Sequence, residues 1–207
     1  MNLTPELITE AERRFGVPRE IHLAADLDEA ETALVVGSMR KSRVHDVTLF
    51  IVEGADIAVI RKSMFPVGAY RAPSGGVAPG ETLEQGALRE AMEETGLRVE
   101  LQRYLLRVAA LFRTYPGWGG AVPLPQEVID PADPSLLHWW SHVFLARAVG
   151  EDLTVEPIDT HEIAEARWVG IDELQGPIRR LLLDSGRSLL RYRVELTDAT
   201  FAELGLT

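Results

Sequence analysis

Three glutamates, Glu90, Glu93 and Glu94, are the residues of this sequence whose type and spacing could do chemistry. Side chains three and four positions apart share one face of a helix, so these carboxylates would crowd and repel one another. A cation among them would offset that repulsion, and all-oxygen ligands favour a hard cation, Mg²⁺ first and Mn²⁺ second. Arg89 lies beside them and could hold one carboxylate through paired N–H donors. The alternative is a charged helix face that points to water.

The residues around these acids predict a Gly-rich loop over 74–81 and a helix over about 83–95. Thr82 can cap the helix, and Gln85 three residues later completes a capping box. Gly96 stands where a left-handed C-terminal cap is expected. The positions predicted to face the core are Leu83, Ala87, Leu88, Ala91, Met92 and Thr95.

The stretch 75–97 resembles the signature of the Nudix hydrolase family, GGVAPGETLEQGALREAMEETGL in this chain. The residues that fill the defined positions are Gly75, Glu81, Arg89, Glu90, Ala91, Glu93, Glu94, Gly96 and Leu97. Ala91 is small for the aliphatic position, and Ser74 stands where many members carry another Gly.

This resemblance implies an α/β fold, an α/β/α sandwich around a mixed sheet, and hydrolysis of a nucleoside diphosphate linked to another moiety. It also implies roles for the box residues. Glu93 and Glu94 are expected as metal ligands, and Glu90 as a ligand or the proton acceptor. The resemblance gives Gly75 a metal-facing backbone carbonyl, Arg89 the orientation of the glutamates, and Glu81 support of the loop.

The rest of the chain is predicted to flank this box. Residues 1–44 are expected to form a helical extension, with helices over 5–15 and from Asp26 or Asp28 to about Val36. The sequence predicts strands over 45–52 and 57–61 as a hairpin ahead of the box, within a hydrolase domain over 45–186. The tail 187–207 is expected to pack on that domain, as one strand or helix and then a short helix capped by Thr197.

Candidate substrate contacts lie outside the box. Arg61 ends a predicted strand and could reach a phosphate, although a solvated strand end explains it equally well. Tyr115 and Trp118 belong to a Pro- and Gly-rich loop over 114–135 and could stack on a base or sugar; loops this long are often functional. Many members of the family recruit a further carboxylate from a later loop, and Glu162 is the candidate here, as metal ligand or base.

Composition narrows the classes of function. The 207 residues contain no Cys, which excludes disulfides, thiolate catalysis and zinc–cysteine sites. The net charge of −11 argues against long nucleic acid as a partner but not against a small phosphate substrate. No apolar run is long enough to span a membrane, and no signal-peptide core is visible, so a cytoplasmic protein is expected. The N-terminal extension could serve as a packing arm or make a homodimer.

The substrate is predicted less sharply than the chemistry. ADP-ribose or another nucleotide sugar is the first choice, while nucleoside triphosphates, dinucleoside polyphosphates and coenzyme A stay open. A non-catalytic nucleotide-binding module is the alternative of a different class. Such modules usually lose box glutamates, and all of them are present here.

Overall fold

The computed structural model describes residues 3–41, 43–119, 124–125 and 128–206. Seven strands lie in this part of the chain: β1 (Arg19–Asp26), β2 (His45–Glu53), β3 (Asp56–Lys62), β4 (Ser74–Gly76), β5 (Val99–Arg113), β6 (Leu136–Ala148) and β7 (Ile163–Gly170). The helices are α1 (Pro5–Phe15), α2 (Glu29–Arg40), α3 (Leu83–Thr95), α4 (Ile171–Glu173), α5 (Arg179–Asp184) and α6 (Ser188–Leu204), and a π-helical turn (Leu174–Ile178) joins α4 to α5.

The strands form one mixed sheet in the order β1-β5-β6-β2-β3-β7. β2 and β3 pair only at their hairpin end and then separate. The segment before the box fills the gap between them: Arg71 bridges to Ile60 of β3, and β4 pairs with β2. The box loop therefore enters the sheet at the place where two strands part.

Helices cover both faces of the sheet, as an α/β/α sandwich requires. On one face, Leu83, Ala87 and Ala91 of α3 pack with alternate side chains of the central strands and with Ala11 of α1. On the other face, α2, the π-helical turn, α5 and α6 pack on the opposite set of strand side chains. The predicted fold class is thus confirmed.

Helix α3 has the predicted bounds and caps. The Thr82 side chain accepts from the Gln85 backbone, the Gln85 side chain accepts from the Thr82 backbone, and Gly96 is left-handed at φ 73°. The predicted core stripe was partly wrong, because Leu88 is 39% exposed while Glu90 and Glu94 are buried. The helix is rotated so that two of its acids, and not Leu88, lie at the protein interior.

The N-terminal extension contains both predicted helices; two details differ from the prediction, and one of the two predicted capping residues is used. A strand, β1, lies between the helices and pairs in parallel with β5. Asp28 and not Asp26 caps α2. The helix also runs past Gly37 to Arg40, because the left-handed conformation that ends α1 and α3 is absent at Gly37, and three more residues bring fully buried Met39 into the core.

The tail also differs from the prediction. It is one 17-residue helix, α6, with Thr197 inside it; the Thr197 hydroxyl donates to the Arg193 carbonyl one turn earlier at 2.8 Å. Among the described residues, no helix is long and apolar enough to cross a membrane. The domain boundaries, the homodimer and the cytoplasmic location stay predictions.

Candidate active site

A cavity of about 700 Å³ opens where β2 and β3 separate. Glu90, Glu93 and Glu94 of α3 form its acidic wall. Its basic lining residues are Lys41, Arg43, Lys62, Arg71, Arg89 and Arg193. Carboxylates and cations in one concave site suit a substrate that carries phosphates, which need positive charge around them.

Arg89 ties the acids of the box together. Its guanidinium makes a two-point contact with Glu81, at 2.7 Å from Nε and 2.9 Å from Nη2. It also donates to Glu90 at 2.6 Å and to Glu93 at 3.1 Å. These bonds lower the pKa of Glu81 and raise that of Arg89. One side chain therefore sets the positions of three carboxylates.

Glu81 also joins the loop to the helix, because its carboxylate accepts from the Ala78 backbone at 2.8 Å. Gly75 meets Glu90 at close quarters: a Cβ added at Gly75 would overlap the Glu90 carboxylate. A side chain at position 75 would thus fill the space that this carboxylate occupies.

Glu94 is the most enclosed of the three acids, at 4% exposure. It accepts from the Ser74 backbone at 2.6 Å, and Lys62 Nζ lies 3.8 Å from its other oxygen. Burial raises the pKa of Glu94 to about 7, against the opposing effect of Arg71 and Lys62. Burial likewise raises the pKa of Glu90. Both groups thus lie where their negative charge lacks sufficient compensation.

Glu162, predicted from a later loop, does line the cavity. It pairs with Lys62 at 2.8 Å, and this bond lowers the pKa of Glu162. Lys62 therefore stands between Glu162 and Glu94. The same loop adds Asp159 and His161 to the cavity wall.

The donor set fits a hard divalent cation, because carboxylate oxygens from one helix face a single cavity. Glu90, Glu93 and Glu94, with the backbone carbonyl of Gly75, are the groups that could hold it. The fit is not preformed: no group of three or more acidic, His or Cys side chains in the described ranges converges tightly enough for a metal. Arg89 and Lys62 now offset part of these charges, so the glutamates must turn from them to bind a cation.

Three predicted substrate contacts lie elsewhere. The Arg61 guanidinium donates to Glu165 at 3.1 Å and to the Phe65 carbonyl, away from the cavity, and its neighbour Lys62 lines the cavity instead. Alternation along β3 sends the two side chains to opposite faces. Tyr115 and Trp118 do not line it either, and Trp118 packs against the core. The structure thus does not bring these three residues to the cavity, and their part in substrate binding stays a prediction. Residues 120–123 and 126–127 of the same loop lie outside the described residues.

Sequence reasoning missed the wall opposite the box helix. Phe112, Trp139 and Tyr192 give the cavity an aromatic side, and Arg193 pairs there with Asp46 at 3.0 Å. The Trp139-Trp140 pair was a usable signal, since only one of two adjacent strand residues can face a ligand. Nothing near Arg193 in the sequence indicates its partner in β2.

The family model of the NUDIX domain matches residues 43–191. An RNA pyrophosphohydrolase of Erythrobacter litoralis is 32% identical over 153 residues, which cover 69% of this chain and 82% of that protein. The NAD-capped RNA hydrolase NudC of Stutzerimonas stutzeri is 27% identical, over 72% of this chain and 42% of the relative.

The putative mutator protein MutT4 of Mycobacterium tuberculosis is 33% identical, over 61% of this chain and 41% of the relative. This chain therefore spans less than half the length of the second and third relatives. Among solved structures, a MutT NUDIX hydrolase of Burkholderia pseudomallei aligns with TM-score 0.45 and 21% identity, covering 74% of this chain and 95% of that one. A UDP-X diphosphatase aligns with TM-score 0.43 and 19% identity, covering 68% and 60%.

Proposed function

This chain belongs to the Nudix hydrolase family, and we propose that it is a Mg²⁺-dependent enzyme that cleaves the pyrophosphate bond of a nucleoside diphosphate linked to another moiety. The observation that carries this proposal is the cavity that brings Glu90, Glu93 and Glu94 together with a set of Lys and Arg side chains. Members of the family generally use divalent metal ions. Mn²⁺ is the second choice of metal.

Each box residue has a proposed part in the reaction. Glu93 and Glu94 would hold the metal, and Glu90 and the Gly75 carbonyl would complete the set. A bound divalent cation supplies charge neutralisation of the pyrophosphate and a lower pKa for the attacking water. Arg89 keeps the carboxylates in place through the bonds described above, and its bond to Glu81 lowers the pKa of that carboxyl.

The proton of the attacking water must pass to a carboxylate as its oxygen bonds to phosphorus. Glu90 and Glu162 are the two candidates. Glu162 lies on a loop, and its side chain is more than half exposed. It can therefore take a proton and release it to solvent. Lys62 lines the cavity between Glu162 and Glu94 and would be available there to donate to a phosphate oxygen.

The favoured substrate is ADP-ribose or another nucleotide sugar, since the aromatic wall suits a nucleoside and the basic residues suit its two phosphates. The second candidate is the 5′ end of an RNA, because two relatives are named for RNA substrates. Both share a pyrophosphate bond beside a nucleoside. The net charge of −11 opposes contact with a long RNA chain, which favours the small substrate.

The test is a substrate panel with the purified chain. Nucleotide sugars, triphosphates, dinucleoside polyphosphates, coenzyme A and a capped or triphosphorylated RNA oligomer are each assayed with Mg²⁺, with Mn²⁺ and after chelation. We expect turnover of a nucleotide sugar that rises from near zero with Mg²⁺. Activity that survives exhaustive chelation contradicts metal dependence, and binding without any turnover supports the non-catalytic module.

A further inference from the structure

Asp46 has one carboxylate oxygen without a partner. The side chain is 1% exposed, and its Oδ2 accepts from Arg193 at 3.0 Å. Its Oδ1 has no hydrogen-bond partner among the residues that the structure describes. Buried polar atoms are nearly always bonded, and an unbonded one costs free energy, more so when it is charged. An atom of this kind in a cavity wall points to a ligand that bonds it.

The neighbouring donors are already engaged. Arg71 Nη1 bonds the Ala72 carbonyl and Ser74 Oγ, both at 2.8 Å. The Tyr192 hydroxyl bonds Ser141 Oγ at 2.7 Å. Arg193 divides its donors between Asp46 and Thr48. These bonds direct the donors named above to other acceptors, which leaves Oδ1 open to a donor from the contents of the cavity.

The surroundings of Asp46 indicate a flat, partly polar group. Asp46 lines the same cavity as Phe112, Trp139 and Tyr192. The rings of Phe112 and Tyr192 meet edge to face, with centroids 5.3 Å apart. An aromatic wall next to a lone acceptor suits a nucleobase, which offers a π-face and N–H donors at its edge.

Part of this wall lies outside the family match. Tyr192 and Arg193 lie in α6, beyond residue 191, where the match to the NUDIX domain ends. Asp46, Phe112 and Trp139 lie within the match, as do the acids of α3. The proposed recognition site therefore combines residues from inside and outside the matched range.

We propose that Asp46 Oδ1 accepts a hydrogen bond from the exocyclic amino group of a substrate nucleobase, and so selects amino-bearing bases. The inference rests on the proposed function, because the base belongs to the molecule whose pyrophosphate bond is cleaved. A base with a carbonyl in that position sets oxygen against a buried carboxylate. The resulting repulsion and the unpaired acceptor both disfavour it.

The first test needs only the natural chain. Hydrolysis of ADP-ribose is compared with that of its inosine counterpart, which carries a carbonyl in place of the amino group and a proton on the adjacent ring nitrogen. We expect kcat/KM to favour the adenine compound by at least about tenfold, the scale of one hydrogen bond to a charged acceptor. Equal kcat/KM values overturn the inference and mean that Oδ1 meets only water. Failure to hydrolyse any member of the panel overturns the proposed function itself.

The second test uses Asp46→Asn, which keeps an oxygen for Arg193 and places an NH₂ where Oδ1 stood. We expect the preference to reverse towards the inosine compound. Thr48→Val is the matched control: it removes the other acceptor of Arg193, lies one pleat away and does not line the cavity. It should keep the adenine preference within about twofold of the natural chain.

Thermal melts of each variant accompany these assays. If Asp46→Asn does not fold, Asp46→Glu replaces it, because Glu keeps the charge for Arg193 but moves the free oxygen by one methylene. The adenine preference should then fall at least about threefold, which is half of the tenfold effect on a logarithmic scale. An unchanged preference in a folded Asp46 variant contradicts the assignment.

Discussion

The two long walls of the cavity balance their charges in opposite ways. On the α3 side, Arg89 contacts Glu81, Glu90 and Glu93, all within eight residues of it in the chain. On the α6 side, Arg193 reaches Asp46, which lies 147 residues away, and both members are largely shielded from water. One network is local and half exposed, whereas the other is long-range and buried.

This difference separates what can rearrange from what is fixed. Glu93 is 46% exposed, so it can leave Arg89 for a cation at little cost in desolvation. Asp46 and Arg193 cannot part without leaving a buried charge alone. We infer that the α3 wall adapts to metal and phosphates, and that the α6 wall holds a rigid shape for recognition.

The largest effect is expected from Arg193→Met, which breaks the buried pair and leaves the Asp46 charge unpaired. Losing one member of such a pair typically costs about 3–5 kcal/mol of unfolding free energy. Chemical denaturation measures this loss.

The control lies on the same helix. Asp198→Asn breaks the pair with Arg179, whose members are 37% and 38% exposed. That change should cost less than about 1 kcal/mol. Similar losses for the two variants would show that the buried Asp46–Arg193 pair matters no more for stability than a half-exposed pair, and would contradict a rigid α6 wall.

Glu94→Gln tests the chemical role of the α3 wall. Gln retains an acceptor for the Ser74 backbone, so the fold should survive. We expect kcat at saturating Mg²⁺ to fall at least about a hundredfold, the scale of losing one key electrostatic contact, and Glu93→Gln to behave similarly. Because burial disfavours the ionised form of Glu94, the metal-free variant should melt no lower than the natural chain. Unchanged kcat would remove α3 from the metal site.

Gly75→Ala tests whether the space beside Glu90 matters. The added methyl overlaps the Glu90 carboxylate and forces it to move. We expect kcat to fall by about ten- to a hundredfold, since small misplacements of catalytic groups are costly. Gly86→Ala is the control, because its Cβ would meet neighbours at 3.4 Å or more and would favour the helix. Equal losses would indicate damage to the fold rather than to Glu90.

A smaller effect is expected from Glu81→Gln. The change weakens the two-point contact to Arg89, but Arg89 keeps Glu90, Glu93 and the Gly76 carbonyl as acceptors. We expect kcat to fall about tenfold or less, with the Glu94→Gln loss clearly larger. A greater loss at Glu81 than at Glu93 and Glu94 would place the chemistry at the loop–helix junction.

The same contrast decides how much could be predicted from the sequence. The caps and acids of α3 depend on spacings of three and four residues, which a sequence shows directly. The hairpin of β2 and β3 was predicted within two residues at each end for the same reason. By contrast, β1 was missed because its pairing with β5 joins positions 87 residues apart, as Arg19 and Leu106 show.

The α6 wall could not be predicted for a further physical reason. Asp46 reads as an ordinary strand residue and Arg193 as a helix residue, and only the folded chain brings them together. The burial of Glu90 and Glu94 could not be predicted from the sequence pattern either. These two acids lie at the interior because α3 sits over the gap between β2 and β3. Arg61 and Lys62 show a second limit of the sequence. Both are basic residues at the end of one strand, and only the folded structure shows that Lys62 and not Arg61 faces the cavity.

The smallest effect on catalysis is expected from Trp118→Ala, set against Trp139→Leu. Trp118 packs on the core outside the cavity, so its loss should lower the unfolding free energy by about 1–2 kcal/mol, less than for a fully buried ring. The KM of the Trp118→Ala variant should stay within about twofold of the natural value.

Trp139 is 9% exposed and lines the cavity. Its replacement should therefore raise KM at least about fivefold and leave kcat nearly unchanged, which is the signature of lost uniform binding. Steady-state kinetics and denaturation of both variants check this. A raised KM for Trp118→Ala and an unchanged one for Trp139→Leu would return substrate recognition to the 114–135 loop, because the aromatic wall would then have no part in binding.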